Sequence, residues 1–102
     1  MDGARASHWN YIGDSILGFG VNLGAGTKLS NRKITSTDVS VRDLDGKQYS
    51  TGLQKLGAII GDGTQIGCNA VLNPGTLLGK RCLVYALVSA RGTHPHDRII
   101  RE

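Results

Sequence analysis

Three histidines and two cysteines are the side chains of this sequence best suited to polar chemistry, and their spacing limits what each can do. His8 stands in Ser-His-Trp-Asn-Tyr. An imidazole with an ordinary pKa near ~6.5 can accept a proton at neutral pH, which is the work of a general base; without further context the position equally suits a surface histidine beside a tryptophan. His94 and His96 alternate in Thr-His-Pro-His-Asp, so an extended backbone would turn both to one side, as a metal site needs. Two ligands do not make a site, and a solvated cap is the plainer reading. Cys68 and Cys82 lie fourteen residues apart with no C-x-x-C pair, so no disulfide framework is expected. The run Gly75 to Lys80 is one residue short of a phosphate loop, and Arg81 replaces the required Ser or Thr. Gly18-Phe19-Gly20 lacks the third glycine and the following helix of a dinucleotide fold.

The elements that must position these groups are set by a rhythm. Ile60, Ile66, Leu72, Leu78 and Val84 each follow the last by six residues, and four places after each comes Thr64, Ala70, Thr76, Cys82 or Val88. Six is a multiple of the strand period of two and out of phase with 3.6, so the pattern predicts short strands joined by corners, three strands to a coil. The aliphatic points inward and the small residue fits near the corner. Gly61, Gly67, Asn73 and Gly79, directly after the aliphatics, are expected to permit the bends. An earlier block carries Ile12, Leu17, Leu23 and Leu29, with one five-residue step followed by sixes. The expected architecture is all-β: a parallel β-helix of about four coils, rising about 4.8 Å per coil.

Residues 31–55 break this phase. VSVRD and KQYST flank Leu44-Asp45-Gly46, which predicts a protruding β-hairpin or loop inserted into the helix. The tail, about 90–102, is expected to fold back as a C-terminal cap. All of residues 1–102 thus read as one domain. Open strand edges at both ends favour association of the coils with other copies.

Composition agrees. One Trp, one Phe and three Tyr cannot build an aromatic core, while 15 Gly suit a chain of many corners. The net charge of +4 leaves phosphate-bearing ligands open. Along the sequence the cations are scattered, adjacent only in the pairs Arg32-Lys33 and Lys80-Arg81, with no basic stripe and interleaved aromatics, so no nucleic-acid partner is expected. The N-terminus has no apolar signal segment and no stretch approaches a membrane span, so no membrane partner is expected and a reducing cytoplasm is the default.

The strings HWNYIGDSILGFGVNLGAGTKLSN and KLGAIIGDGTQIG carry a resemblance. With H-x-x-Y-x-G-D-S and V-N-L-G-A-G-T, the chain from His8 onward resembles the C-terminal acetyltransferase domain of bifunctional N-acetylglucosamine-1-phosphate uridyltransferases and archaeal sugar-1-phosphate nucleotidyltransferases. The resemblance implies a left-handed parallel β-helix, hexapeptide-repeat acyltransferase chemistry and a homotrimer with acetyl-CoA in clefts between prisms; the open end coil leaves end-to-end pairing of two trimers as a further arrangement. It implies acetyl transfer to an amino group of a small-molecule acceptor, such as an amino-sugar phosphate, with no metal. By the same resemblance His8 is the general base, Tyr11 and Asn22 hold the acceptor, and Asn31 and Lys55 face the acetyl group and cofactor. Ala25, Cys68 and Ala86 line the cofactor channel, Cys68 standing where Ser is common. Two basic residues that grip the sugar phosphate in the family precede the histidine by more than the seven residues found here. The alternative is therefore a non-catalytic trimeric assembly module, or a truncated remnant of a larger enzyme.

Overall fold

Turning a short strand through three corners returns it above its starting point, where its amides can bond the carbonyls of the coil below. The computed structural model, which describes residues 3–4 and 9–102, does this four times. The first coil is β1 (Tyr11–Ile12), β2 (Ile16–Leu17) and β3 (Asn22–Leu23). The second is β4 (Lys28–Leu29), then, after the hairpin β5 (Ser40–Arg42) and β6 (Gln48–Ser50), β7 (Ile59–Ile60) and β8 (Gln65–Ile66). The third is β9 (Val71–Leu72), β10 (Leu77–Leu78) and β11 (Leu83–Val84), and the fourth is β12 (Ser89–Ala90), β13 (Thr93–His94) and β14 (Ile99–Ile100).

Strands stack in parallel into three faces. The first face runs β1-β4-β9-β12, the second β2-β7-β10-β13 and the third β3-β8-β11-β14. This is the left-handed parallel β-helix, with no α-helix among the described residues. No helix among them is long and apolar enough to cross a membrane.

Each face carries one ladder of inward side chains. Ile12, Leu29, Leu72 and Ala90 align on the first; Leu17, Ile60, Leu78 and His94 on the second; Leu23, Ile66, Val84 and Ile100 on the third. Like side chains in register bury one another, and from Leu23 to Val84 every inward aliphatic is at most 4% exposed. The small residues complete the core at the corners. Thr27, Thr64 and Thr76 are fully buried, and each hydroxyl donates to a backbone carbonyl: of Gly67 at 3.1 Å, of Gly79 at 3.1 Å and of Asn73 at 2.6 Å. A buried hydroxyl is tolerable only with such a partner.

The glycines after the aliphatics have a different duty from the one expected. The left-handed backbone falls two residues later, at Gly63, Asn69, Gly75, Arg81 and Leu87. Gly61, Gly67 and Gly79 are instead where coils touch: a Cβ on Gly61 would lie 2.6 Å from the carbonyl carbon of Gly79 and 2.7 Å from the nitrogen of Lys80. Asn73 contributes through its side chain, its amide donating to the Ala90 carbonyl at 2.8 Å.

The tail is also corrected. Residues 90–102 do not form a separate cap; β13 and β14 pair in register with β10 and β11 and make the fourth coil. Its rhythm is hidden because the corner between β12 and β13 holds only Arg91 and Gly92, which shortens one step from six residues to four.

The hairpin forms where Leu44-Asp45-Gly46 places it. The Asp43 carboxylate accepts from the amides of Asp45 at 3.0 Å and Lys47 at 2.9 Å, and Gly46 takes a φ of 89°. It does not stand free of the prism. Val39 is fully buried, the Thr93 hydroxyl donates to the Arg42 carbonyl, and Gly75 leaves room for the Ser40 carbonyl.

Candidate functional site

His8 lies outside the described residues. The chain that follows it is anchored: the Trp9 carbonyl accepts from Gly26 N–H at 2.7 Å, and the Asn10 amide donates to the Gly24 carbonyl at 2.8 Å. Gly24 and Gly26 flank Ala25, so the segment entering the first coil is pinned against the corner between the third and first faces.

That corner assembles three of the predicted residues. Ala25, Cys68 and Ala86 occupy the same place in successive coils, with Asn69 N–H donating to the Ala25 carbonyl at 2.9 Å and Leu87 N–H to the Cys68 carbonyl at 3.0 Å. The product is a vertical strip of small side chains, half-buried at Ala25 and exposed at Cys68 and Ala86. Flatness here follows from the close stacking of Gly24 on Cys68, whose backbone nitrogen would be 2.7 Å from an added Cβ. A strip without protruding side chains lets an extended ligand lie along the helix axis with its polar groups against backbone. Cys68 and Cys82 are both free thiols; Cys82 is buried, its Sγ 3.3 Å from the Pro95 carbonyl.

A second group forms at the corner between the first and second faces. Tyr11 points outward from β1 and its hydroxyl donates to Asn31 Oδ1 at 3.2 Å. The Asn31 amide donates in turn to Asp14 Oδ2 at 2.6 Å, and its carbonyl accepts from Leu56 N–H at 2.9 Å, which ties the two ends of the insertion together. Tyr11 and Asn31 are thus brought into contact across twenty residues of sequence. Asp14, which fixes the Asn31 amide, was not singled out by sequence reasoning. The signal was available in the Gly13-Asp14-Ser15 string, and Asp14 sits in left-handed backbone at the shortened corner. Lys55 is exposed, one residue before the pinned Leu56. Asn22 lies on the third face and faces outward from β3, in register with Gln65, away from the Tyr11 and Asn31 pair.

Within one copy the strip and the Tyr11–Asn31–Asp14 group occupy different corners of the triangle, separated by the first face. The tail histidines take separate places. His94 stands in the inward ladder above Leu78, its Nε2 2.9 Å from the Arg91 carbonyl, and His96 Nδ1 accepts from Lys80 N–H at 2.6 Å. Nearby, the Arg81 guanidinium is bidentate on Asp97 and holds its carboxyl below the ordinary range, chiefly by that hydrogen bond.

No family model matches the chain. Among curated proteins it is 38% identical over 85 residues to the bifunctional sugar-1-phosphate nucleotidylyltransferase/acetyltransferase of Sulfurisphaera tokodaii, covering 83% of this chain and 21% of that protein. It is 34% identical over 86 residues to the bifunctional protein GlmU of Methanococcus maripaludis, covering 84% of this chain and 20% of the relative. The GlmU of Carboxydothermus hydrogenoformans is 35% identical over 96 residues, covering 88% and 19%. The matches fall in the C-terminal region of these proteins. The chain spans about a fifth of the length of the curated relatives it matches.

Proposed function

We propose that this chain, homologous over a fifth of their length to bifunctional nucleotidylyltransferase/acetyltransferases, is an acyl-transfer module that moves an acetyl group from acetyl-CoA to the amine of an amino-sugar phosphate. The observation that carries the reading is the strip of Ala25, Cys68 and Ala86 running along one corner, with the segment next to His8 bonded to its first-coil end around Ala25. The strip suits the extended arm of a thioester donor. The Tyr11–Asn31–Asp14 group suits a polar acceptor, its hydroxyl and amide already oriented.

Because the two groups sit at different corners, the reading takes the working unit to be a homotrimer, in which the strip of one subunit faces the Tyr11 corner of the next. His8 removes a proton from the amine as its nitrogen attacks the thioester carbonyl. The C–N bond forms, the C–S bond breaks, and the thiolate of CoA leaves. Thioesters are already activated, so holding amine and carbonyl together between subunits supplies much of the acceleration. Lys55 and Asn31 are assigned to the acetyl group, and Asn22 and Tyr11 to the acceptor. The two free thiols suit a reducing, cytoplasmic setting.

The test is thiol release from acetyl-CoA with glucosamine 1-phosphate as acceptor. Replacing His8 with Ala should lower kcat by about 10²- to 10⁴-fold, the usual worth of general-base help, without changing the melting temperature. A second reading, an assembly module without activity, is favoured by the apolar side chains exposed on the third face and its corner: Leu83, Tyr85, Leu87 and Ile99, the third of them 78% exposed. Clean trimers that neither release CoA with any of a panel of amino sugars nor melt higher with acetyl-CoA would establish that second reading.

A further inference from the structure

Arg32, Lys33, Arg42 and Arg91 come from three separate stretches: the start of the insertion, strand β5 and the short corner of the fourth coil. In sequence only two of them are neighbours. In the folded chain all four line one groove of about 790 Å³ between the insertion and the first face. Among the described residues no Asp or Glu lines it, and the one ion pair is Arg81–Asp97, elsewhere on the prism.

Gathering four cations around one groove is electrostatically unfavourable unless an anion enters it. Two of the guanidinium groups are already held by neutral oxygen partners, Arg32 by Ser36 Oγ at 3.3 Å and Arg42 by Gln48 Oε1 at 3.2 Å. The wall bearing Arg42 is fastened to the fourth coil, where the Thr93 hydroxyl bonds the Arg42 carbonyl two residues from Arg91. Guanidinium forks match phosphate oxygens in geometry as well as charge. The volume is that of a small-molecule pocket, and no aromatic among the described residues lines the groove to stack a base, which argues against single-stranded nucleic acid.

We infer that this groove binds the linked phosphates of a diphosphate-bearing small molecule, clamped between Arg42 on the hairpin and Arg91 on the prism. The inference does not depend on acetyl transfer. Two sources carry the same chemistry: coenzyme A, with its diphosphate, and a nucleoside diphosphate-sugar.

The experiment is titration calorimetry of the intact chain with inorganic pyrophosphate at low salt. Loss of two charge-assisted contacts in R42Q/R91Q should weaken binding at least about tenfold, while K80Q, outside the groove, changes affinity less than about twofold. R91Q alone serves should the double variant melt at a lower temperature than the parent. Displacement of pyrophosphate by coenzyme A identifies the donor as the source, and displacement by a nucleoside diphosphate-sugar identifies the activated sugar; either supports the inference. Equal binding by R42Q/R91Q and the parent overturns it, as does an equal loss in K80Q or stronger displacement by a mixed-sequence single-stranded oligonucleotide. No turnover enters the measurement, so an inactive chain that binds pyrophosphate through these arginines retains this inference and loses only the acetyl-transfer reading. An active chain that does not bind it does the reverse.

Discussion

The prism and its insertion are built on opposite terms. Each coil stacks like on like, and its inward aliphatics are sealed from solvent between Leu23 and Val84. The insertion buries Val39 fully, yet exposes Ile34, Leu44, Tyr49 and Leu53, and holds itself by turn hydrogen bonds around Asp43. One region obtains its shape from a repeated core, the other from being laid against that core. The lesson is a division of labour: the coils provide a rigid edge of known spacing, and the irregular segment brings charge to it, as loops on rigid scaffolds commonly do.

The contrast is most easily broken at Leu72, which is fully buried between Leu29 and Ala90. Leu72→Ala should cost about 2–5 kcal/mol in a urea melt, the usual range for a truncated core leucine. Ile34→Ala, at the fully exposed rim of the insertion, should change stability by no more than about 0.5 kcal/mol. Comparable losses at the two positions would mean that the insertion is part of the core.

A smaller effect separates the two kinds of corner glycine. Gly61→Ala forces a methyl into the backbone of the coil above and should cost about 1–3 kcal/mol. Gly20 has a φ of 70° but open space around it, so Gly20→Ala should cost only the left-handed strain of about 1–2 kcal/mol and leave coil spacing unchanged. Thermal melts rank the pair, and the reverse order would mean that the close stacking of coils at Gly61 yields to a methyl at little cost.

The smallest effect expected is at Asp97. Its carboxyl is held below the ordinary range by Arg81, so the contribution of the pair is present at neutral pH and disappears as pH falls through that lowered value. Both side chains are well exposed, so screening keeps the contribution small. D97N should lower the melting temperature slightly at pH 7, and the difference from the parent should shrink in buffers below the usual carboxylate range. A difference that persists in acid would assign Asp97 a role other than this ion pair.

Much of the architecture was legible in the residues. The six-residue spacing located the inward ladder correctly from Ile12 to Val84, including the five-residue step to Leu17, and Asp-Gly marked the hairpin turn. The fourth coil was hidden, since a two-residue corner and a histidine in the inward place of β13 disguise the period. At the candidate site, Ala25, Cys68 and Ala86 were reached through the family resemblance and not through the spacing, which marks other small residues. The bond from Tyr11 to Asn31 and the part played by Asp14 could not be read in the same way, because they depend on which corners stack.

Periodicity is a local property that a chain carries in its order of residues, so inward face and strand length were determined before any contact was known. Proximity between distant stretches is not local. Only the closing of the coils and the folding of the hairpin onto the prism brought Arg32, Lys33, Arg42 and Arg91 around one groove, and only they placed the small-residue strip and the Tyr11 group at separate corners. Side chains scattered in sequence meet when backbone hydrogen bonds between coils fix their register, and that register exists only in three dimensions.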